Sequence, residues 1–152
     1  MKRIILGLVV IGLAVSSLGC SQNAGSDDAS YVGDYDISGS LTGALTSGSG
    51  SYTDSGVEYS ATIENVTVTV YSDSSYANSV KSATVDTSAY VPTTALTYSL
   101  TDLAAGTYYA KASQEITYSV AGLGITVANS GTKTVTIGSS DATDQDITLS
   151  TP

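Results

Sequence analysis

The chain has 152 residues, with 14 Asp and Glu against 5 Lys and Arg, and it has no histidine. The acidic balance argues against a nucleic-acid-binding protein, because binding to phosphates depends on clustered Lys and Arg. Without histidine, the chain cannot build a Ser-His or Cys-His nucleophile pair. Since no motif marks a pair of catalytic carboxylates either, we expect a protein that is not an enzyme.

The N-terminal segment has the layout of an export signal. Lys2 and Arg3 precede an apolar run over residues 4–15, and small residues follow up to Cys20. Positive charge, apolar core and small residues in this order are typical of a signal peptide. The apolar run is shorter than the roughly 20 residues that a transmembrane helix needs. We therefore predict a signal peptide at residues 1–19.

The end of this segment, S-S-L-G-C at residues 16–20, resembles a bacterial lipoprotein lipobox. Ser17 departs from the family pattern, which prefers Leu at that place. The resemblance implies that Cys20 is lipidated and becomes the first mature residue, so the chain would meet a membrane through its N-terminal lipid. Two acyl chains suffice for stable anchoring. Ser21, in place of a retaining Asp, implies the outer membrane in a Gram-negative source and the cell membrane otherwise.

A short polar segment follows the lipidation site. Residues 20–33 contain few apolar side chains, so they are predicted to form a flexible tether. A random coil of this length has a mean reach of about 20 Å. The remaining residues, 34–152, are predicted to form one domain.

The rest of the chain shows the period-two pattern of β-strands. Ile37 and Leu41 fall on one face of a first strand, and alternate valines mark another at residues 66–70. Ile63 is out of phase with these valines, which predicts a bulge or bend near residues 64–65. Further strand patterns cover residues 95–100, 107–116, 118–127, 132–137 and 145–150.

Turn residues separate these strands. Residues 46–55 are rich in Ser, Gly and Thr and are predicted to be a loop, and residues 129–131 (Asn-Ser-Gly) are predicted to be a hairpin turn. No segment beyond the N-terminal signal has helical periodicity over a useful length. The pattern predicts an all-β fold, a single antiparallel Greek-key β-sandwich of about seven strands.

Residues 100–112, reading LTDLAAGTYYAKA, resemble the prealbumin-like sandwich of carboxypeptidase regulatory-like and Cna-B-like modules. Leu103, Gly106 and Tyr108 fit the pattern Leu-x-x-Gly-x-Tyr of that family, and ISGSLTG, ENVTVTVYS and DQDITLS fit its first, second and closing strands. Fibronectin type III domains share a similar corner, so their topology is the alternative. The resemblance implies that Gly106 permits a tight turn and that the Tyr108 hydroxyl holds the corner. It therefore implies a fold and no activity.

Calcium is a metal whose ligands this chain could supply. Zinc and copper sites need His or free Cys, whereas calcium takes oxygen ligands. Asp141, Asp144 and Asp146 lie close together before the last strand. The alternative is that these aspartates form turns and carry solvated charge. We predict no other cofactor.

The aromatic residues suggest a second kind of site. The chain has eleven Tyr and neither Phe nor Trp. Tyr52 and Tyr59 flank one predicted loop, and Tyr71 and Tyr76 flank another, where their rings could stack on a glycan. The alternative is that each Tyr packs in the core or at its edge.

Two functions remain open at this point. The first is a lipid-anchored cell-envelope protein whose β-sandwich is a non-catalytic structural or interaction module. The second is a carbohydrate- or ligand-binding module that uses exposed Tyr residues. A contiguous exposed Tyr patch would favour the second, whereas buried Tyr under a Ser/Thr surface would favour the first.

Overall fold

The computed structural model describes residues 32–88 and 90–152. The predicted signal peptide, Cys20 and most of the predicted tether lie outside the described residues. The first strand begins at Val32, two residues before the predicted start of the domain. Within the described ranges, no helix is long and apolar enough to cross a membrane.

The predicted all-β class is confirmed, and nine strands occur in the described part of the chain where about seven were expected. They are β1 (Val32–Gly43), β2 (Gly50–Asp54), β3 (Val57–Ile63), β4 (Val66–Tyr71), β5 (Ser79–Val85), β6 (Leu96–Leu103), β7 (Gly106–Val120), β8 (Leu123–Ile137) and β9 (Ile147–Leu149). Two of the strand pairs, β2–β3 and β7–β8, form hairpins that were not predicted from the sequence pattern.

The strands form two sheets. The smaller, which we call the covering sheet, has the order β6-β1-β9. In it β1 runs antiparallel to β6 and parallel to β9. The prediction of a purely antiparallel sandwich is therefore wrong at this edge. The physical reason is that the last strand, β9, lies beside the first, β1, and runs in the same direction.

The larger sheet, which we call the long sheet, is organised along β7. One edge of β7 pairs with β8 over its whole length. The other edge pairs with β4 at residues 109–113 and with β3 at residues 116–120. β3 ends at Ile63 and β4 begins at Val66. The strand is therefore interrupted at residues 64–65, where the phase of Ile63 predicted a bulge or bend. With 15 residues, β7 is about 50 Å long.

The core lies between the covering sheet and the half of the long sheet that contains β4 and β5. Alternation places every second residue inward, as the valine pattern of β4 predicted. The largest fully buried side chains include Tyr108, Ile37, Leu41, Leu100, Leu103, Ile137, Ile147 and Leu149. The Tyr108 hydroxyl donates to the carbonyl oxygen of Ala104 at 2.9 Å, which is the corner contact that the resemblance implied.

The predicted hairpin turn at residues 129–131 is wrong. These residues lie in the middle of β8, where Asn129 is buried and its Nδ2 donates to the carbonyl oxygen of Ala44 at 2.8 Å. At Gly131 a Cβ would collide with the carbonyl oxygen of Thr148. Asn129 therefore bonds to neighbouring backbone, Gly131 leaves space for it, and neither residue forms a turn.

The hairpin turn lies at Ala121 and Gly122, whose φ angles are 51° and 82°. Ser55 and Gly56, with φ angles of 51° and 82°, form a turn of the same kind between β2 and β3. Two consecutive residues with positive φ are characteristic of the type I′ turn, whose twist matches that of paired strands. The predicted loop at residues 46–55 therefore contains a strand and the first turn residue.

Candidate interaction face

Part of the long sheet extends beyond the covering sheet. It consists of β2, β3, residues 116–120 of β7 and residues 123–127 of β8, and we call it the projecting half-sheet. One row of paired residues crosses it as Tyr52, Tyr59, Val120 and Leu123, and the next as Gly50, Ala61, Tyr118 and Ile125. Directly paired residues of antiparallel strands point to the same face, so each row lies on one side of the sheet.

The projecting half-sheet has one apolar and one polar side. The two rows just described form the apolar side, which we call the projecting face. The intervening residues point the other way and are mostly polar: Ser51, Thr53, Glu58, Ser60, Thr62, Thr117, Ser119 and Thr126. This pattern is typical of a sheet that buries one side and exposes the other to solvent.

The projecting face is nevertheless open to solvent. Leu123 is 80% exposed, Ile125 70% and Tyr52 65%, and Tyr118 and Val120 are each nearly half exposed. Together these side chains expose on the order of 500 Å² of mostly apolar surface, which is near the upper end for the largest patch of a monomer. Contiguous patches of this size commonly mark interaction sites.

A row of buried amides separates this face from the core. Gln114 and Asn129 are paired across β7 and β8, and both are at most 2% exposed. The Gln114 Nε2 donates to the carbonyl oxygens of Thr46 (2.8 Å) and Glu64 (3.1 Å), and its Oε1 accepts from the Thr46 amide (3.1 Å). The backbone leaving β1 is thus held across the long sheet, and burial on this side of β7 ends one row further on, at Ile116, which is 3% exposed.

Within the projecting face, a shallow depression lies among three Tyr rings. Tyr52 and Tyr59 stack with ring centroids 5.0 Å apart and an angle of 8° between the rings. Together with Tyr118 they line a depression of about 350 Å³ that also contacts Gly50 and Ala61. The small residues leave space between the rings. The remaining lining residues are Gly48, Val120 and two serines, Ser60 and Ser119.

The other predicted aromatic pair belongs to a different place. Tyr71 and Tyr76 contact each other edge to face, with centroids 5.4 Å apart and an angle of 89°. Tyr71 pairs with Tyr109 near the beginning of β7, whereas Tyr59 pairs with Val120 at its end. Eleven residues of strand separate these positions, or about 36 Å. The four predicted tyrosines therefore do not form one site.

Two of the three predicted calcium ligands accept hydrogen bonds from backbone amides. The Asp141 Oδ1 accepts from the Asp36 amide at 3.0 Å, and the Asp146 Oδ1 accepts from the Ser40 amide at 2.8 Å. Asp144 is exposed and has a φ of 57°. In the described part of the chain, no group of three or more His, Cys, Asp or Glu is placed to hold a metal ion. Calcium binding stays a prediction for which these residues form no assembled site.

Four groups with shifted pKa values lie outside the projecting face. In one of them, hydrogen bonds from the Ser88 amide and hydroxyl lower the pKa of Asp86. Hydrogen bonds from the Ser75 hydroxyl and from backbone amides lower the pKa of Asp73 to about 2. A hydrogen bond from the Thr101 hydroxyl, and then the nearby Lys81, lower the pKa of Asp102. Burial, and then the charge of Asp146, raise the pKa of Tyr98 to about 12. These shifts reflect hydrogen bonding in exposed segments and burial of Tyr98 at the core.

The sequence pattern missed four members of the projecting face: Tyr118, Val120, Leu123 and Ile125. Residues 118–127 were interpreted as one strand interrupted by glycines. The available signal was the Ala121–Gly122 pair between two alternating runs. Read as a two-residue hairpin, it would have placed all four side chains on one face.

No family model matches this chain, and no curated protein or solved structure matches it either. The resemblance to prealbumin-like modules therefore depends on the sequence motifs alone.

Proposed function

We propose that this chain is a lipid-anchored cell-envelope protein whose β-domain is a non-catalytic interaction module, and that the projecting face is its binding surface. The observation that carries the proposal is the open apolar side of the projecting half-sheet. Exposing an apolar patch of this size to water costs free energy, and this cost is removed when a partner covers the patch. The side chains of this face are hydrocarbons and phenols, a composition suited to binding.

The position of the face fits an anchored protein. A Cβ at Gly33 would meet the backbone of Leu103 and Ala104, next to the start of β7. The projecting face lies at the other end of β7, about 50 Å away. With Cys20 lipidated and a tether of about 20 Å reach, the module would present this face away from its own membrane. The proposed location is the outer membrane in a Gram-negative source and the cell membrane otherwise.

The finer fold assignment is part of the same proposal. We take the domain to be a prealbumin-like Greek-key sandwich. The corner at Leu103, Gly106 and Tyr108 supports this choice, since the Tyr108 hydroxyl donates back to Ala104 across the turn. This corner lies in the covered half, so it contributes to the framework and not to the binding surface.

Carbohydrate binding is the second candidate, and the depression among Tyr52, Tyr59 and Tyr118 favours it. Two features weigh against it. Tyr52 and Tyr59 stack on each other, so part of each ring face is already occupied. The rest of the face offers Val120, Leu123 and Ile125, which cannot bond to sugar hydroxyls. Titration of the chain with soluble glycans, followed by Tyr fluorescence, would support this candidate only if Tyr52→Ala abolished a saturable change.

Two measurements in envelope preparations test the main proposal. A clickable palmitate analogue should label the chain at Cys20, and Cys20→Ser should lose the label. On native gels, the anchored chain should migrate in a complex larger than a monomer. Leu123→Glu should dissolve that complex, whereas Thr126→Glu, on the polar side of the same strand, should leave it intact. Absence of label would overturn the anchor, and equal behaviour of the two glutamate variants would overturn the binding surface.

A further inference from the structure

We infer that the occupant of the projecting face is a second copy of this chain, bound face to face through the same rows of residues. The inference rests on the proposed function, because it names the partner of the surface assigned there. It follows from the architecture of the domain. The covered half of the long sheet has a second sheet stacked on it, whereas the projecting half has the same amphipathic pattern and no second sheet formed by the described residues. A second projecting half-sheet would complete the missing layer.

The geometry allows this without a clash. A two-fold axis that crosses the strands, midway between the two rows, turns the second copy end for end. The second half-sheet then occupies the layer in which the covering sheet of the first copy lies, about 10 Å from the projecting face. The two covered halves point to opposite ends, so neither obstructs the other. Each copy thereby extends the sandwich of its mate.

This axis also brings large side chains opposite small ones. It places the row of Tyr52 and Tyr59 over the row of Gly50 and Ala61 of the second copy, and the reverse. The Tyr rings of each copy would thus cover the small residues beside the depression of the other. Leu123 would lie opposite Ile125 at the β8 edge. A surface that is complementary to itself in this way is what a two-fold interface requires.

Charge and area agree with the same occupant. The chain carries a net charge of −9, so two copies repel except where a surface lacks carboxylates. The two rows of the projecting face contain no carboxylate, and Asp54, paired with Val57, lies in the next row on the same side of the sheet, on the edge strand β2. Two copies would cover on the order of 1,000 Å² in total, the lower bound for a specific interface. A weak, reversible dimer is therefore expected.

Sedimentation equilibrium of the full chain carrying Cys20→Ser tests the inference in the absence of lipid. The chain should associate to a dimer, Leu123→Glu should weaken association at least tenfold, and Thr126→Glu should not change it. Leu123 is 80% exposed, so its replacement should leave the circular dichroism spectrum and urea midpoint unchanged. A monomer at every concentration, or a dimer indifferent to Leu123→Glu, would overturn the inference.

Cross-linking tests the axis. In Cys20→Ser chains, Leu123→Cys mixed with Ile125→Cys should be joined by a short bismaleimide faster than either variant alone. Equal rates would overturn the arrangement. If the purified chain is monomeric while the native envelope complex still depends on Leu123, the second copy is excluded and the proposed function stands. If both dependences are absent, both fail.

Discussion

Replacing Gln114 with Leu should destabilise the domain while nearly preserving side-chain volume. The amide makes three hydrogen bonds to the backbone at Thr46 and Glu64, with distances between 2.8 and 3.1 Å. Its side chain is fully buried. A hydrogen bond contributes roughly 0.5–1.5 kcal/mol net, and an abandoned buried partner costs more. The expected loss is therefore about 2–4 kcal/mol in the free energy of unfolding.

Urea unfolding followed by circular dichroism measures this loss, and Glu115→Gln is the matched control. Glu115 is the next residue of β7, and its exposed side chain lies on the other side, so its replacement should change stability by less than about 0.5 kcal/mol. Amide exchange adds a local probe, because the Thr46 amide donates to the Gln114 Oε1. Exchange at Thr46 should accelerate in Gln114→Leu. A loss below about 1 kcal/mol with unchanged exchange would refute the structural role given to the amide row.

Three further predictions follow from other contacts. Because the pKa of Tyr98 rises from 10 to about 12 on folding, the folded state favours the neutral phenol. The contribution of Tyr98 to the free energy of unfolding is complete below pH 10 and is lost as pH rises from 10 towards 12. Urea unfolding at about pH 9 and pH 11 should therefore show a smaller loss of stability at the higher pH for Tyr98→Phe than for the unchanged chain. The Asp73 carboxylate, with a pKa lowered to about 2, should stabilise its loop above pH 3.8 and lose this effect as pH falls towards 2. A carboxyl resonance that titrates at 3.8 in NMR would contradict this. Gly131→Ala should cost about 1–3 kcal/mol through its collision with Thr148, and Gly138→Ala, which meets nothing within 4 Å, is the control for loss of glycine.

Local alternation was enough to predict the strands whose sides differ. Val66, Val68 and Val70 are buried, while the residues between them are partly exposed. β2 gave no such signal, because all five of its residues are exposed. It is a strand because its backbone pairs with β3 from Gly50 to Asp54. Backbone pairing of an edge strand leaves little trace in side-chain composition.

Asn129 and Gly131 show why turn chemistry misled the sequence prediction. Both residue types tolerate positive φ and so favour turns. Here the Asn129 side-chain amide donates to the carbonyl oxygen of Ala44, and the absence of a Cβ at Gly131 leaves space for the backbone of Thr148. These partners lie 85 and 17 residues away, beyond any local pattern. The same limit hid the projecting face: Tyr52 and Tyr59 were recognised as a candidate pair, but their neighbours Tyr118 and Leu123 join them only through long-range pairing.

The amide row at Gln114 and Asn129 divides β7 into two parts with different surroundings. On one side of it, β7 packs under the covering sheet, and on the other it carries the projecting face. Backbone of residues 44–64 makes most of the hydrogen bonds of this row, whereas the buried Asn129 Oδ1 has no hydrogen-bond partner in the part of the chain that the structure describes. In the two-copy arrangement, the Val32 ends lie at opposite poles, roughly 80 Å apart for strands of this length. Tethers of about 20 Å would bring both Cys20 residues to one flat membrane only if the dimer lay parallel to it. The arrangement is equally suited to copies anchored in two facing membranes, and vesicles that carry the lipidated chain should therefore cluster, with Leu123→Glu preventing the clustering.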